Sequence, residues 1–495
     1  MKNEEEKNNL MEKIASLCKR RGFIFPGSEI YGGLAGTYDW GHYGVALKNN
    51  IKQNWWKKFV DSRRDMYGLD GAIIMNPKVW EASGHVAGFS DPLATCSSCA
   101  KRFRFDNIID VSDYQKFISE LTYEQFRKDE WEPDGSAEDE SAEVAFIRNL
   151  EEAKNYTGVV ASYYLNKKNV KCPNCSKTDW RWGAVEKFNM LFKTQIGAVE
   201  NSAATIYLRP ETAQGMFVNF KNTVDAFHPK LPFGMAQIGK AFRNEITPRD
   251  FIFRLREFEQ MEIEYFIRPE DWEKYFEYWK GEMLEWMEEV GIDMGKVHEL
   301  EVPKEDRAHY SSRTIDFEFD YPFGRKELFG LAYRTDFDLK NHGLEYIDEE
   351  AAEKMVPHVI EPTFGVDRAI LVLLLSAYSE DEKDGEVRSY LKLKPSIAPV
   401  ICAVSPLLKN KPELVEYANT KVYAPLKAEF GRVAWDDNGN IGKRYRRQDE
   451  IGTPYCIVVD FDTLSDHTVT VRDRDSGEQE RVKVSELAAY IKEKI

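Results

Sequence analysis

Arg254, Arg256, Phe258 and Glu262 fall on even positions of one short stretch, and upstream Arg243 and Glu245 stand two apart in Phe242-Arg-Asn-Glu245. This alternation constrains the chain more than any other feature. Read as a strand over 253–264, it sends the four even side chains to one face, because successive strand residues point to opposite sides. That face offers cations to phosphates, an aromatic ring to a base, and a carboxylate to an ammonium. The bland alternative is a surface strand of alternating charge.

A second segment, Glu361-Pro-Thr-Phe-Gly365-Val-Asp-Arg368, leads into the apolar run 369–375. The run is too short to span a membrane, so it reads as a buried core helix. Gly365 lets the backbone approach a ligand closely. Arg368 falls in the first turn of the helix.

In this order the two segments resemble motifs 2 and 3 of the class II aminoacyl-tRNA synthetases. Leu208-Arg-Pro-Glu-Thr-Ala-Gln-Gly215, Val79-Trp-Glu-Ala-Ser-Gly-His85, Phe25-Pro-Gly-Ser-Glu-Ile-Tyr-Gly-Gly33, Asn76-Pro-Lys-Val79 and Tyr333-Arg-Thr-Asp-Phe-Asp-Leu339 resemble the homodimeric glycyl-tRNA synthetases. The resemblance runs from about Ile14 to the C-terminus. It implies an α+β catalytic core, an antiparallel sheet with helices, followed by an α/β anticodon-binding domain. The implied activity is ATP-dependent attachment of glycine to tRNA(Gly) through glycyl-adenylate, by a homodimer. A class II-like accessory protein without aminoacylation is the alternative; it would be expected to lose the motif arginines that this chain keeps.

Residue roles also follow from the resemblance. Arg243 and Arg368 are the catalytic residues. ATP is bound by Arg243, Asn244, Glu245, then Phe253, Arg254, Leu255, Arg256, Glu257 and Phe258, then Glu327 and Leu328, and finally Gly365, Val366, Asp367 and Arg368. Glycine is bound by Arg104, Glu211, the run Phe258, Glu259, Gln260, Met261 and Glu262, by Arg334, and by Glu361, Pro362, Thr363, Phe364 and Gly365. Glu211, Glu262 and Glu361 surround the ammonium, Arg334 helps to hold the carboxylate, and Thr363 is a wall residue where the family usually has serine. Glu327 ligates Mg²⁺ between the phosphates. A charged, closed pocket is what glycine requires, because an apolar pocket discriminates one methylene by only roughly 1–3 kcal/mol.

Two Cys-x-x-Cys pairs, Cys96/Cys99 and Cys172/Cys175, supply four thiolates on two tight knuckles, the ligand set of a structural zinc ion. Four cysteines leave no open position, so a catalytic zinc is not expected. Cys18, Cys402 and Cys456 read as inert thiols.

The domain reading follows composition. Residues 1–95 and 179–390 form the catalytic domain, with a helical excursion at about 269–300; 96–178 is an insertion carrying both knuckles; 393–495 is the anticodon-binding domain. Within these, 8–21 reads as a helix, and Leu47, Ile51, Trp55 and Phe59 recur every four residues on another. A strand at 72–75 then completes the place of motif 1, the dimer interface of the family. The core resumes at 186–192, charges at 379–388 mark a linker, and strands alternating with helices after Pro395 predict a mostly parallel sheet.

A formal charge of −16 argues at first against a nucleic-acid partner, but the acids cluster at 129–143. RNA binding follows local basic patches. Lys443-Arg444-Tyr445-Arg446-Arg447 is such a patch, with cations for phosphates and a ring for an unpaired base. The first residues carry no apolar signal-peptide core and no transmembrane stretch follows, which predicts a cytoplasmic protein without membrane partners.

Overall fold

The computed structural model describes residues 2–128, 142–181, 185–197, 205–348, 353–383 and 385–495. It divides into two compact units, Met1–Ile73 with Glu211–Ala241 and Arg249–Ile495, and Ile74–Pro210 with Phe242–Pro248. The second unit is therefore wider than the 96–178 stretch. Most of the acidic run lies outside the described residues, at 129–141.

In the first unit a seven-stranded sheet is built from β1 (Met66–Leu69), β2 (Phe233–Phe242), β3 (Glu257–Ile267), β4 (Val297–Glu301), β5 (Arg313–Tyr321), β6 (Gly324–Thr335) and β7 (His358–Gly365). The spatial order is β4-β5-β6-β7-β3-β2-β1. β1 runs parallel to β2, while β4 to β7 pair antiparallel in succession and β7 pairs antiparallel with β3.

Alternation gives this sheet two chemically different faces. Met261, Ile263, Tyr265 and Ile267 of β3 join Ile360 and Phe364 of β7 and Phe329 and Leu331 of β6 in a buried apolar core. Helices Trp272–Val290 and Val366–Ala377 cover it with Trp279, Met283, Trp286 and the run Ala369–Leu375. Each such side chain contributes roughly 1.5–3 kcal/mol on burial. That face holds the sheet together, which leaves the opposite face of β3, β7 and β6 for polar groups. Phe217, Phe220, Phe233, Phe266 and Leu339 form a separate apolar cluster, with Phe266 following the polar residues on β3.

Several expectations shift. The strand over 253–264 begins only at Glu257, because Asp250 and Phe251 take positive φ (62° and 56°) and a 3-10 turn occupies Phe251–Phe253. The strand expected at 72–75 is β1, at Met66–Leu69. Asn76 is already capping helix Pro77–Ala82, accepting from the Lys78 N–H at 3.0 Å, and so ends any extended run. Residues Glu186–Asn189 pair with Ser90–Thr95 in the second unit and not in the seven-stranded sheet. The charged linker is instead a hairpin, Tyr378–Lys383 with Glu386–Leu391, in which Arg388 lies opposite Asp381 and donates to it. The N-terminal helix is longer than 8–21, at Lys2–Arg21, and Leu47, Ile51, Trp55 and Phe59 are all fully buried.

The C-terminal sheet consists of β8 (Cys402–Pro406), β9 (Val433–Trp435), β10 (Tyr455–Val459), β11 (Thr468–Asp473) and β12 (Gln479–Lys483), ordered β9-β8-β10-β11-β12. The pairings of β8 are parallel and those of β11 antiparallel, so the sheet is mixed rather than mostly parallel. The link between β10 and β11 holds only the one-turn helix Thr463–Asp466, too short for the dozen or so residues a parallel crossover needs.

The second unit has a three-stranded sheet, Arg102–Arg104, Ser90–Thr95 and Glu186–Asn189 in that order, and a small aromatic core of Phe105, Tyr114, Phe126, Tyr164 and Trp180 that includes Cys96 and Cys172. No helix among the described residues is long and apolar enough to cross a membrane.

Candidate active site

The polar face of the seven-stranded sheet is a buried carboxylate pocket. Glu262 on β3 lies opposite Thr363 on β7, and Thr363 Oγ1 donates to Glu262 Oε1 at 3.0 Å. Thr212 Oγ1 donates to the other Glu262 oxygen, and Gln260 Nε2 lies 3.3 Å from Oε1. Arg334 on β6 donates through Nη1 to Glu361 (2.8 Å) and through Nε and Nη2 to both oxygens of Asp338 (2.7 and 2.9 Å). Its guanidinium lies 3.8 Å from the centroid of the Tyr310 ring. Gln214 bridges Glu211 (3.1 Å) and Asp338 (2.9 Å), and His342 meets the Gln214 carbonyl oxygen at 2.9 Å.

Burial sets the electrostatics here. It raises the pKa of Glu262, helped by repulsion from Glu211 and opposed by the hydroxyls of Thr212 and Thr363. Burial raises Glu361 well above the ordinary carboxylate range, against the pull of Arg334 and with repulsion from Glu262 and Glu211. For Arg334 burial acts to lower the pKa, but Asp338 and Glu361 outweigh it and hold the guanidinium charged.

This geometry corrects two readings. Arg334 is nearly inaccessible and committed to Asp338 and Glu361, so it orients Glu361 rather than reaching for a substrate carboxylate. Met261 and Phe364 are on the apolar face, inside the core, so their side chains cannot line the pocket. Pro362 is buried next to them in the chain, and Gly365 has room, since a Cβ there would meet only the Arg368 side chain at 3.7 Å or beyond.

A second group lies at the start of helix Val366–Ala377. Arg368 Nη1 is 3.1 Å from a carboxylate oxygen of Glu327 and donates to the Glu327 carbonyl at 3.2 Å, with its guanidinium 4.6 Å from the centroid of the Phe253 ring. Arg368, Glu327 and Phe253, distant in sequence, are thus brought together. Arg254 sits just before β3 and Phe258 at its start, packed against the core edge. Leu255 and Leu328 are buried in that core, and Glu257 pairs with Lys240 on the surface. Arg256 donates through Nη1 to the Ala35 carbonyl at 2.6 Å and through its backbone N–H to the Gly36 carbonyl at 2.9 Å. Asp367 and Glu259 are likewise internal, both paired with Lys48, and Asp367 accepts the Glu259 N–H at 2.8 Å. Val366 is core.

Arg243, Asn244, Glu245 and Arg104 belong to the second unit. Arg243 is braced by Nε donating to the Pro210 carbonyl (3.1 Å) and by the Phe89 ring (5.4 Å), and the Asn244 N–H donates to the Met190 carbonyl at 2.8 Å. Arg104 is gripped by Asp91 (2.9 Å) and by both oxygens of Asp106 (3.0 and 2.5 Å). Burial works against its charge, and Asp106, Asp91 and Glu245 outweigh it.

The four cysteine sulfurs converge. Cys96 and Cys175 are 3.7 Å apart, as are Cys99 and Cys172, and all four lie within 4.8 Å of one another. Zinc thiolates at 2.3 Å in a tetrahedron stand about 3.8 Å apart, so the set fits. The knuckles repeat each other: Cys96 and Cys172 each donate an N–H to the carbonyl five residues on, and Ala100 and Ser176 both adopt positive φ (54° and 58°). A backbone N–H from Lys101 draws the Cys99 thiol down to about 7.

The basic cluster is a helix, Ile441–Ile451, and not a loop. Arg444 is buried, donating to the carbonyls of Pro406, Asp437 and Gly439, and Arg447 forks onto Asp436. Tyr445 lies under the Arg472 guanidinium at 4.7 Å. Lys443 and Arg446 are the exposed members. Three neighbours went unnoticed in the sequence: Glu264, Gln214 and Asp338. For Glu264 the signal was present, two residues beyond Glu262 on the same strand face.

Comparison with known families agrees with this geometry. The model described as "tRNA synthetase class II core domain (G, H, P, S and T)" matches residues 192–377, and "Anticodon binding domain" matches 401–494. The core is therefore that of a class II tRNA synthetase. Along 98% of its length the chain is 45% identical to a glycine--tRNA ligase of Caldanaerobacter subterraneus subsp. tengcongensis, 46% to one of Clostridium tetani and 47% to one of Clostridium acetobutylicum, covering 98% of each. The chain belongs to the glycine--tRNA ligase family.

Proposed function

We infer that the chain joins glycine to tRNA(Gly) at the expense of ATP, through glycyl-adenylate. The observation that carries the choice of amino acid is the pocket of Glu211, Glu262 and Glu361, three carboxylates on buried positions. An ammonium satisfies them. In this reading the glycine carboxylate attacks the α-phosphate, and positioning and charge stabilisation carry the rate. Arg243 acts on the α-phosphate, Arg254 on the outer phosphates, Phe258 stacks on adenine and Glu245 orients it. Arg368 borders the nucleotide, and Glu327, its ion-pair partner, would hold Mg²⁺ there; the metal supplies charge neutralisation on the phosphates. Arg104, held by Asp91 and Asp106, is assigned to glycine binding on the resemblance alone. The test is ATP–pyrophosphate exchange: glycine should support it and alanine and serine should not. Comparable exchange with alanine would remove the glycine assignment.

The segment around helix His42–Trp56 and β1 occupies the place of motif 1, and we assign the homodimer contact and a cytoplasmic site of action on the resemblance alone. The cysteine set supports one structural zinc ion, held by Cys96, Cys99, Cys172 and Cys175. Zinc should co-purify at about one ion per chain. Cys172→Ser should lose the ion and lower the thermal stability of the second unit. Elemental analysis without zinc, on protein never exposed to chelator, would refute it.

For tRNA, the exposed Lys443 and Arg446 carry the RNA contact of the C-terminal domain, with Arg444 withdrawn because it is structural. Replacing both with glutamine should raise KM for tRNA and flatten its salt dependence, while pyrophosphate exchange stays at the wild-type rate. Normal charging at moderate salt would move the RNA surface elsewhere on the domain.

A further inference from the structure

Glu264 lies on β3 two residues beyond Glu262 and on the same face. It is completely buried, and neither of its carboxyl oxygens has a hydrogen-bond partner among the described residues. Carboxyl oxygens of Glu262, Glu264 and Glu361 lie within 4.8 Å of one another. The groups around it are Glu361 on β7, Arg334 on β6, Glu262 on its own strand and Asp338 on helix Phe337–Asn341, with Glu211, before helix Ala213–Val218, acting on Glu262 and Glu361. These five carboxyls stand around the Arg334 guanidinium, which donates its hydrogen bonds to Asp338 and Glu361. Carboxylates this close in a buried site cannot all be ionised. Of the five, Glu264 alone combines complete burial with two unsatisfied oxygens, which makes its neutral, protonated form the least costly place for the proton.

We propose that Glu264 is a positioning residue that stores a proton beneath the carboxylate pocket, and that binding of the substrate ammonium expels this proton to solvent. The proposal rests on the reading that the pocket takes glycine. The balance is simple: the free enzyme carrying one proton on the cluster, plus zwitterionic glycine, gives the complex plus one proton, and no covalent bond of glycine changes. The entering ammonium supplies the positive charge that lets Glu264 give up that one proton and stand as a carboxylate beside Glu262 and Glu361. The empty pocket stays folded because it is kept less negative, and the full anionic field develops only around a bound cation.

The direction of the pH dependence follows. Burial and the Glu361 charge hold Glu264 well above the ordinary carboxylate range in the free enzyme, and the ammonium lowers it in the complex. Below both values the proton stays on in both states. Between them binding releases it, so affinity for glycine rises with pH. Above the free-enzyme value the dependence ends.

Titration calorimetry of the full-length protein with glycine, in phosphate and in Tris at the same pH, counts the protons released. Wild type should release a substantial fraction of one proton. Glu264→Gln, the isostere of the protonated acid, should release almost none. Its KM for glycine in pyrophosphate exchange should rise about tenfold, the equivalent of one pKa unit of lost interaction, with KM for ATP at the wild-type value. Its KM for glycine should also lose the fall with rising pH that is expected of wild type above the ordinary carboxylate range. The wild-type proton count needs no variant: glycine binding without proton release overturns the proposal and leaves the function intact. Undiminished release by Glu264→Gln overturns the assignment to Glu264. Absence of glycine-dependent exchange in wild type overturns both the function and the proposal.

Discussion

Arg243→Ala should lower glycyl-adenylate formation about 10²–10³-fold, the usual loss when one donor aimed at developing charge is removed. The magnitude depends on preorganisation. Arg243 is held by the Pro210 carbonyl and the Phe89 ring, so its guanidinium is already oriented before substrate arrives. Arg243→Lys keeps a charge but cannot reproduce the planar fork, and should fall between alanine and wild type. Pyrophosphate exchange and single-turnover adenylate formation both read this step. The variant should stay close to the wild-type thermal midpoint, because the residue is only half-buried. Activity within a few-fold of wild type would show that the motif 2 role belongs to another residue.

Arg334→Ala should be the most destabilising single change in the pocket. It strands Asp338 and Glu361, two buried carboxyls that now receive three hydrogen bonds from one guanidinium. Removing one partner of a buried ion pair typically costs about 3–5 kcal/mol. The deficit has a pH signature. Without the cation Glu361 takes up a proton more readily, so the variant should approach wild type at low pH and fall behind as pH rises and this carboxyl is forced to ionise. Thermal unfolding as a function of pH measures this directly. KM for glycine should rise as well, because Glu361 loses the contact that aims it. A thermal midpoint equal to wild type at neutral pH would mean that the pocket carboxyls do not depend on Arg334 for their charge.

The sequence by itself determined the class of the protein and most of its chemistry. Alternation on one strand put Glu262 among polar neighbours and the apolar residues behind it, and the run after Arg368 became the buried helix it spelled out. Those are local periodicities, and local sterics fix them. The cysteine pairs were equally legible, since their spacing puts two thiols on one tight turn and the four sulfurs converge in the fold. What the tertiary structure decided was which charges remain available. Arg334 and Arg444 read in sequence as ligand-facing cations, yet each is buried and spent inside the protein, Arg334 on Asp338 and Glu361 and Arg444 on the Pro406 carbonyl. Strand partners were also invisible, so Glu186–Asn189 went to the wrong sheet and the charged hairpin at Tyr378–Leu391 passed for a linker. A side chain's chemistry is written in its own residue type. Whether that chemistry faces a ligand or is neutralised inside the protein depends on long-range neighbours, and these exist only once the chain has folded.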